Sequence, residues 1–537
     1  MQKRTITRLA MLAACTGLFG AATSASGTRE PTGKPRRGGE FRIALWVSPG
    51  GIASIDPALA SGFEERLLRP TCAQLMAFPG PTPEAATAFP KVSRDRRTYT
   101  FTIRKTLRFN TGDRVTPGSF ARAFERYLDP RMDAPGAAGY ADDIVGGREF
   151  FERRVQTLRG VHASGNTLVL KLTRPSLDLL DALATRTFCA VPATLPVVPE
   201  GASAPLAGAG PYYIARYVPG REVVLRRNRR YSGPRKSYVD TFRIDLANTN
   251  ATAVERVANG GADFTGVFPD QRERLAARFG VNRSRFFLPR GDVLSLVMLV
   301  LNTKRQLFRG NPRLRRAVSF AVDRQAILAA HGRYVGFPTD QFLSSAIPGV
   351  RDVRIYPLRG DLRRARALAR GSRRSGKAVI YARNDSFFVS QAELVRRRLS
   401  AIGITGEVRS FSQAELLARV QRPRERFDIA FVGWGGTNPT PTLLNCLFHA
   451  RNIPPADGGC NYSRFDAPYY NRQLDRAERL PRDRSLRLYA KLDVQLARAA
   501  PAVALYHQYR AVLISTRAGC LSFRRVLWEL TGVCLKR

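Results

Sequence analysis

Directly after the apolar run Phe427-Asp428-Ile429-Ala430-Phe431-Val432 the chain reads Gly433-Trp434-Gly435-Gly436-Thr437-Asn438-Pro439-Thr440-Pro441. A strand that ends in glycines and one indole puts a flat apolar face at its carboxyl edge, where open α/β sheets hold ligands. The chemistry this favours is recognition: stacking on Trp434, close approach at Gly435 and hydrogen bonding at Thr437. Little else in the chain is suited to making or breaking bonds. GxSxG, HExxH, phosphate-loop and dinucleotide fingerprints do not occur in a working context. Gly208-Ala209-Gly210-Pro211-Tyr212-Tyr213 is glycine-rich, yet no Gly-Lys-Ser/Thr follows and the next segment reads as strand. Carboxylates are few beside the arginines and none forms an acid and base pair. His162, His331, His449 and His507 are far apart and no CxxC occurs. Neither a metal site nor a cofactor is expected, and catalysis is the weaker class.

The first residues, MQKRTITRLAMLAACTGLFGAATSASG, have a basic start at Lys3, Arg4 and Arg8, an apolar core from Leu9 to Ala22 and a small-residue exit. This predicts a secretory signal over 1–26, followed by a flexible tether over 27–37 that holds two prolines. Leu12-Ala13-Ala14-Cys15 looks like a lipobox, which would leave a lipid on Cys15. Only about six apolar residues separate Arg8 from Cys15, so cleavage without lipid is preferred. Beyond the signal lie Cys72, Cys189, Cys446, Cys460, Cys520 and Cys534, an even set that favours disulfides in an exported chain. Nearness in sequence suggests Cys446 with Cys460 and Cys520 with Cys534, leaving Cys72 with Cys189.

A formal charge of +44, from 87 basic and 43 acidic residues, would normally point to nucleic acid, an anionic surface or an acidic ligand. The arginines, however, run through every segment without an aromatic-interleaved motif, and an exported chain rarely meets nucleic acid. No nucleic-acid partner is expected. Attraction to anionic lipid or cell-wall polymer follows from the same field.

At 537 residues the chain exceeds what one core organises, so two or three lobes are expected. Leu296-Val297-Met298-Leu299-Val300-Leu301 reads as a strand buried on both faces. Asn311 and Pro312 start a helix with Leu314, Ala317, Val318 and Ala321 on one face, and Asp323 can cap a second. Tyr99 to Arg104 alternates as a strand, and Thr116-Pro117 opens a helix that buries Phe120, Ala123 and Phe124. From Ala378 onward strands and helices alternate as in an α/β lobe, with a helix from Ser412 and another that Asp483 could cap.

Several of these strings, in this order, resemble the bacterial extracellular solute-binding proteins of family five. They are GGEFRIAL with SIDPALA, YTFTIRKTLRFNTGDRVTPGSFARAFERYLDP, SGNTLVLKLTRP, GAGPYY, LNTKRQLF with NPRLRRAVSFAVDRQAIL, and the strand after Pro501. The resemblance spans Gly38 to about Ser515. It implies an α/β, type II periplasmic-binding-protein fold, with two lobes joined by a hinge and an inserted third α+β subdomain of structural role. The boundaries expected are lobe I over 38–65 and 197–294, the insert over 66–196, lobe II over 295–500, and a hinge return with a lobe I tail over 501–537. The implied function is binding without turnover: the extracytoplasmic component of an ABC importer, a monomer that passes a peptide-like or other small solute to a membrane permease. Trp434 and Gly435 would wall the cleft, Thr437 and Asn302 would supply polar contacts, and Tyr506 with His507 the opposite rim. In the family an aspartate commonly stands where this chain has Thr437 and another where it has Thr440, which argues against a simple peptide. The alternatives are a salt-sensitive polymer-binding surface protein and an extracellular enzyme on the same scaffold.

Overall fold

The computed structural model describes residues 35–47, 52, 54–60, 64–77, 81–288, 295–372, 377–435, 440–454, 459–521 and 530–536. The expected signal segment with Cys15, and Thr437, lie outside the described residues.

The run ending at Leu301 forms the strand Ser295–Leu301, and its alternation splits it between two cores. Val297, Leu299 and Leu301 pack with helices Pro312–Ala321 and Ser386–Ser400. Leu296, Met298 and Val300 pack with helices Leu443–Phe448, Pro468–Arg479 and Arg482–Ala499 on the other face. With both faces covered, burial of each large side chain stabilises the lobe by roughly 1.5–3 kcal/mol. The strand is third in a six-stranded sheet ordered Gly336–Pro338, Ala502–Gln508, Ser295–Leu301, Ile429–Gly435, Ala378–Arg383, Gly406–Phe411. Helix caps occur where the side chains allow them: Asn311 accepts from the Leu314 amide at 3.1 Å, Asp323 from Ala326 at 2.8 Å and Ser412 from Glu415 at 3.2 Å. Asp483 is not a cap, because its helix begins at Arg482 directly after Pro481 and leaves the carboxylate in the first turn.

The first lobe carries a seven-stranded sheet: Phe286–Phe287, Val512–Ile514, Phe264–Gly266, Glu40–Ala44, Thr241–Asp245, Glu222–Arg227, Tyr212–Val218. Between Leu68 and Tyr212 the chain leaves this lobe to build a separate core. There the antiparallel strands Thr98–Thr102 and Thr167–Lys171 face helix Pro117–Leu128 through Phe101, Leu168, Phe120 and Phe124. Two differences from the expected boundaries stand out. Pro35–Arg36 is no tether but a strand paired with Leu535 and Lys536. Ala502–Gln508 belongs to the second sheet, so the return to the first lobe falls after Gln508, at 509–511. The cysteines pair as Cys72–Cys189, Cys446–Cys460 and Cys520–Cys534, with Cα separations of 5.5, 5.3 and 5.3 Å.

The insert is held to the first lobe by a buried ion pair. Arg126 on the inserted helix donates to both oxygens of Asp56, at 3.0 and 2.6 Å, and the two side chains are 1% and 0% exposed. Asp56 also accepts from the amides of Ala58 and Ala202, so each lone pair is engaged. Removing one partner strands the other charge away from water. Asp56→Ala is therefore expected to lower stability by about 3–5 kcal/mol, whereas Asp56→Ala with Arg126→Met recovers most of the loss. Urea denaturation followed by circular dichroism checks this; a loss under about 1 kcal/mol would equate the pair with an exposed one.

Candidate functional site

Two stretches of chain join the lobes, and the strands they connect are neighbours on both sides. Phe286–Phe287 pairs with Val512–Ile514 in the first lobe, and Ser295–Leu301 with Ala502–Gln508 in the second. In the first lobe Glu40–Ala44, Thr241–Asp245 and Phe264–Gly266 run parallel, and Gly266 lies opposite Val512 at the crossing. In the second Ala378–Arg383, Gly406–Phe411 and Ile429–Gly435 run parallel, and Gly435 lies opposite Ser295. Both sheets thus turn their carboxyl ends toward the crossings, which leaves a cleft between ligand-favouring edges.

Trp434 sits at that edge, half-buried against the core of the second lobe, with exposed glycines on either side. A Cβ at Gly435 would make ordinary contact with Ser295 and Arg510, at 3.6 and 3.9 Å, so these two side chains flank the end of the strand. Across from it the first lobe presents an aromatic pair, Trp46 and Phe268, 41% and 38% exposed, with ring centroids 5.4 Å apart at 88°. Trp46 follows an alternating strand much as Trp434 does, so the carboxyl-edge rule applied to Leu45-Trp46-Val47 finds it from sequence.

The remaining predicted residues do not gather there. Asn302 lies at the far end of its strand: Leu301 is opposite Ile429 while Leu296 is opposite Trp434, a separation of roughly 17 Å along the strand. Its amide donates to the Phe427 carbonyl at 3.0 Å and accepts from the Lys304 amide, which makes it a brace between strands and corrects its assignment as a solute contact. Tyr506 and His507 are not an opposite rim, since their strand belongs to the same sheet as Trp434. Tyr506 points into the core beside helix Ser386–Ser400, where its hydroxyl donates to Gln391 at 3.1 Å. His507 shares a row with Leu296 and Phe337 and is 2% exposed, and among the described residues neither ring nitrogen has a partner at hydrogen-bond geometry. Burial pushes its imidazole down to about 4, against a smaller opposing pull from the backbone of Ser295 and Leu343.

A second feature was not expected at all, because it uses the insert. A cavity of about 600 Å³ lies at the seam where the insert meets the second lobe. Arg174 bridges the seam, bonded to Asp143 at 2.8 Å and to Glu478 at 3.2 Å, and Glu478 also holds Arg451 and accepts from Asn445 at 2.5 Å. Asp178 of the insert accepts from the hydroxyls of Thr440, at 2.7 Å, and Thr442 across the seam. Desolvation raises its carboxyl to about 6; the two hydroxyls oppose this, and the charges of Asp181 and Glu478 add to it. Nothing in Ser176-Leu177-Asp178-Leu179 marks these residues from sequence, since tertiary docking alone brings them to Thr440.

Two sheet-bearing lobes with facing carboxyl edges, joined by adjacent crossings and carrying an insert on the first, define a two-lobed solute-binding protein of the type II periplasmic fold. The chain belongs to the bacterial extracellular solute-binding proteins of family 5: the family's middle-region model matches residues 80–454. This is a family of binding proteins, not of enzymes. Protein XP55 of Streptomyces lividans is 27% identical over 518 residues, covering 89% of this chain and 86% of that protein. Among solved structures, clavulanic acid biosynthesis oligopeptide binding protein 2 superposes with a TM-score of 0.86 at 24% identity, covering 95% of this chain and 97% of its own. The ABC transporter-associated periplasmic binding protein DppA from Helicobacter pylori, in complex with peptide STSA, gives 0.75 at 20% identity over 94% and 99%.

The folded His507 titrates below its ordinary 6.5, so it contributes no pH dependence above that value. As pH falls from 6.5 toward 4 the unfolded chain takes up a proton that the folded chain refuses, and stability declines. Imidazole NMR is expected to show this residue neutral throughout the physiological range, and His507→Leu to flatten the acid limb of a melting-temperature profile. A titration midpoint near 6.5 would contradict the buried placement.

Proposed function

We propose that this chain is the extracytoplasmic capture component of an ABC importer, which closes on a peptide-like or other small solute and presents the closed form to a membrane permease. The observation that carries this reading is the pair of adjacent crossings with both carboxyl edges turned toward them, a geometry that permits bending about one short axis. The solute shifts the equilibrium only by its greater affinity for the closed form. Trp434, Gly435 and Thr437 are the proposed wall on the second lobe, and Trp46 with Phe268 the wall on the first. A peptide-like solute is supported by two of the neighbours, one named an oligopeptide binding protein and one solved with a peptide. Export through residues 1–26, with cleavage in preference to a lipid on Cys15, puts capture outside the cytoplasmic membrane. Among the described residues no helix is long and apolar enough to cross one. The protein acts as a monomer without nucleic acid.

Screening peptides, oligosaccharides and metal chelates by thermal shift is expected to find a solute that raises the melting point. The same solute should shrink the radius of gyration in solution scattering. Trp434→Ala should weaken its binding by about tenfold, with Trp434→Phe intermediate. Binding that collapses with salt and leaves the scattering unchanged would favour polymer adhesion driven by the +44 charge.

A further inference from the structure

The walls of the seam cavity carry charge of both signs. Arg148 is bonded to Asp142 at 2.7 Å, Arg174 to Asp143, and Arg451 to Glu478, which Arg174 shares, so each arginine lining it is paired with a carboxylate. Asp178 is left over: its partners are two neutral hydroxyls, and no cation lies within ion-pair distance of it among the described residues. The charged groups that raise its carboxyl, Asp181 and Glu478, are also acidic. Asp178 is half-buried at the seam, where a positive group would complete it. Asp493 is likewise held by neutral donors, the Gln341 amide and the Phe342 and Leu343 backbone, but it lies in the core, whereas Asp178 lines a cavity. Behind the lining Phe124 and Phe188 are stacked at 4.2 Å in the insert core, each 1% exposed, and the apolar surface open to the cavity comes from Tyr140, edge-on to Phe188 at 5.0 Å, and Leu177. The volume falls within the range of cavities that enclose small organic ligands.

We propose that the seam cavity binds a small organic cation, a primary amine on an apolar or aromatic body, with its ammonium group against Asp178 and its body along Tyr140 and Leu177. This deepens the solute-capture reading and rests on it, because the cavity is complete only while the second lobe meets the insert. Thr440 and Thr442 are positioning residues: their hydroxyls hold the carboxylate and, coming from the chain that leaves Trp434, tie occupancy of the seam to the cleft edge. Protonating Asp178 removes the attraction, so binding weakens as pH falls below about 6 with Asp181 and Glu478 facing the same carboxylate.

Titration calorimetry on the full chain tests this with phenethylamine and leucyl-phenylalaninamide, each beside its N-acetyl derivative. The charged forms are expected to bind at least tenfold, about one charge-assisted hydrogen bond, more tightly than the acetylated ones. Asp178→Asn should abolish that preference. Should Asp178→Asn misfold, Gly139→Phe serves instead: this glycine lines the cavity, and a Cβ there meets no atom within 4 Å. By filling the space and leaving the charge unaltered it should weaken both amines at least tenfold, about 1.4 kcal/mol. The proposal is overturned if neither amine binds, if acetylated forms bind equally, or if the preference survives Asp178→Asn. Scattering on the same samples separates the two readings, because acetylated or acidic solutes that compact the protein would leave the importer reading standing and sink this one.

Discussion

Everything in this molecule depends on two stretches of chain crossing between sheets side by side. Because Ser295–Leu301 hydrogen-bonds to Ala502–Gln508 in one lobe and Phe286–Phe287 to Val512–Ile514 in the other, the lobes cannot separate or twist freely. What remains is bending where the ladders are interrupted. Tyr509 donates to the Val335 carbonyl, and Arg272 donates to the carbonyls of Val267 and Tyr334, so the hinge side is stitched, and the insert meets the second lobe again at the seam through Arg174 and Glu478. Such a linkage stores little specificity of its own. It converts whatever bridges the carboxyl edges into a change of shape.

The arginine content makes more sense inside this frame than as a surface field. Arg324 is fully buried and donates to the carbonyls of Ala504, Ser319 and Thr339, while Arg285 holds those of Ile514 and Ala258. Arg464 does the same for Tyr462 and Val420. A planar fork of N–H groups satisfies several orphan carbonyls at element ends at once, which an ammonium on a flexible stem does less well. Burial lowers the Arg324 and Arg272 guanidinium groups to about 10, still charged at neutral pH. Part of the +44 is therefore internal scaffolding, whereas Asp56–Arg126 and Glu84–Arg235 use the same group to fasten the insert to its parent lobe.

How far the sequence could be read depended on the range of the interactions involved. The strand Ser295–Leu301, the caps at Asn311 and Asp323 and the carboxyl-edge position of Trp434 are local: they follow from alternation, capping chemistry and the glycines around one indole. Asn302, Tyr506 and His507 went astray for one reason. Proximity to a crossing along the chain does not place a side chain: strand polarity decides which end of Ser295–Leu301 meets the cleft, and side-chain parity sends the neighbours Tyr506 and His507 to opposite faces of one sheet.

By itself, then, the sequence determined the class of molecule: its elements, their order, the covalent frame of six cysteines and one aromatic edge. The tertiary structure alone decided where the boundaries fall, that Trp46 and Phe268 form the second edge, and that Asp178 meets Thr440 and Thr442, which lie 262 and 264 positions further along the chain. Local propensity is written in neighbouring residues. Whether a carboxylate ends up beside a guanidinium or beside two hydroxyls depends on how separately folded bodies dock, and no short stretch of sequence carries that information.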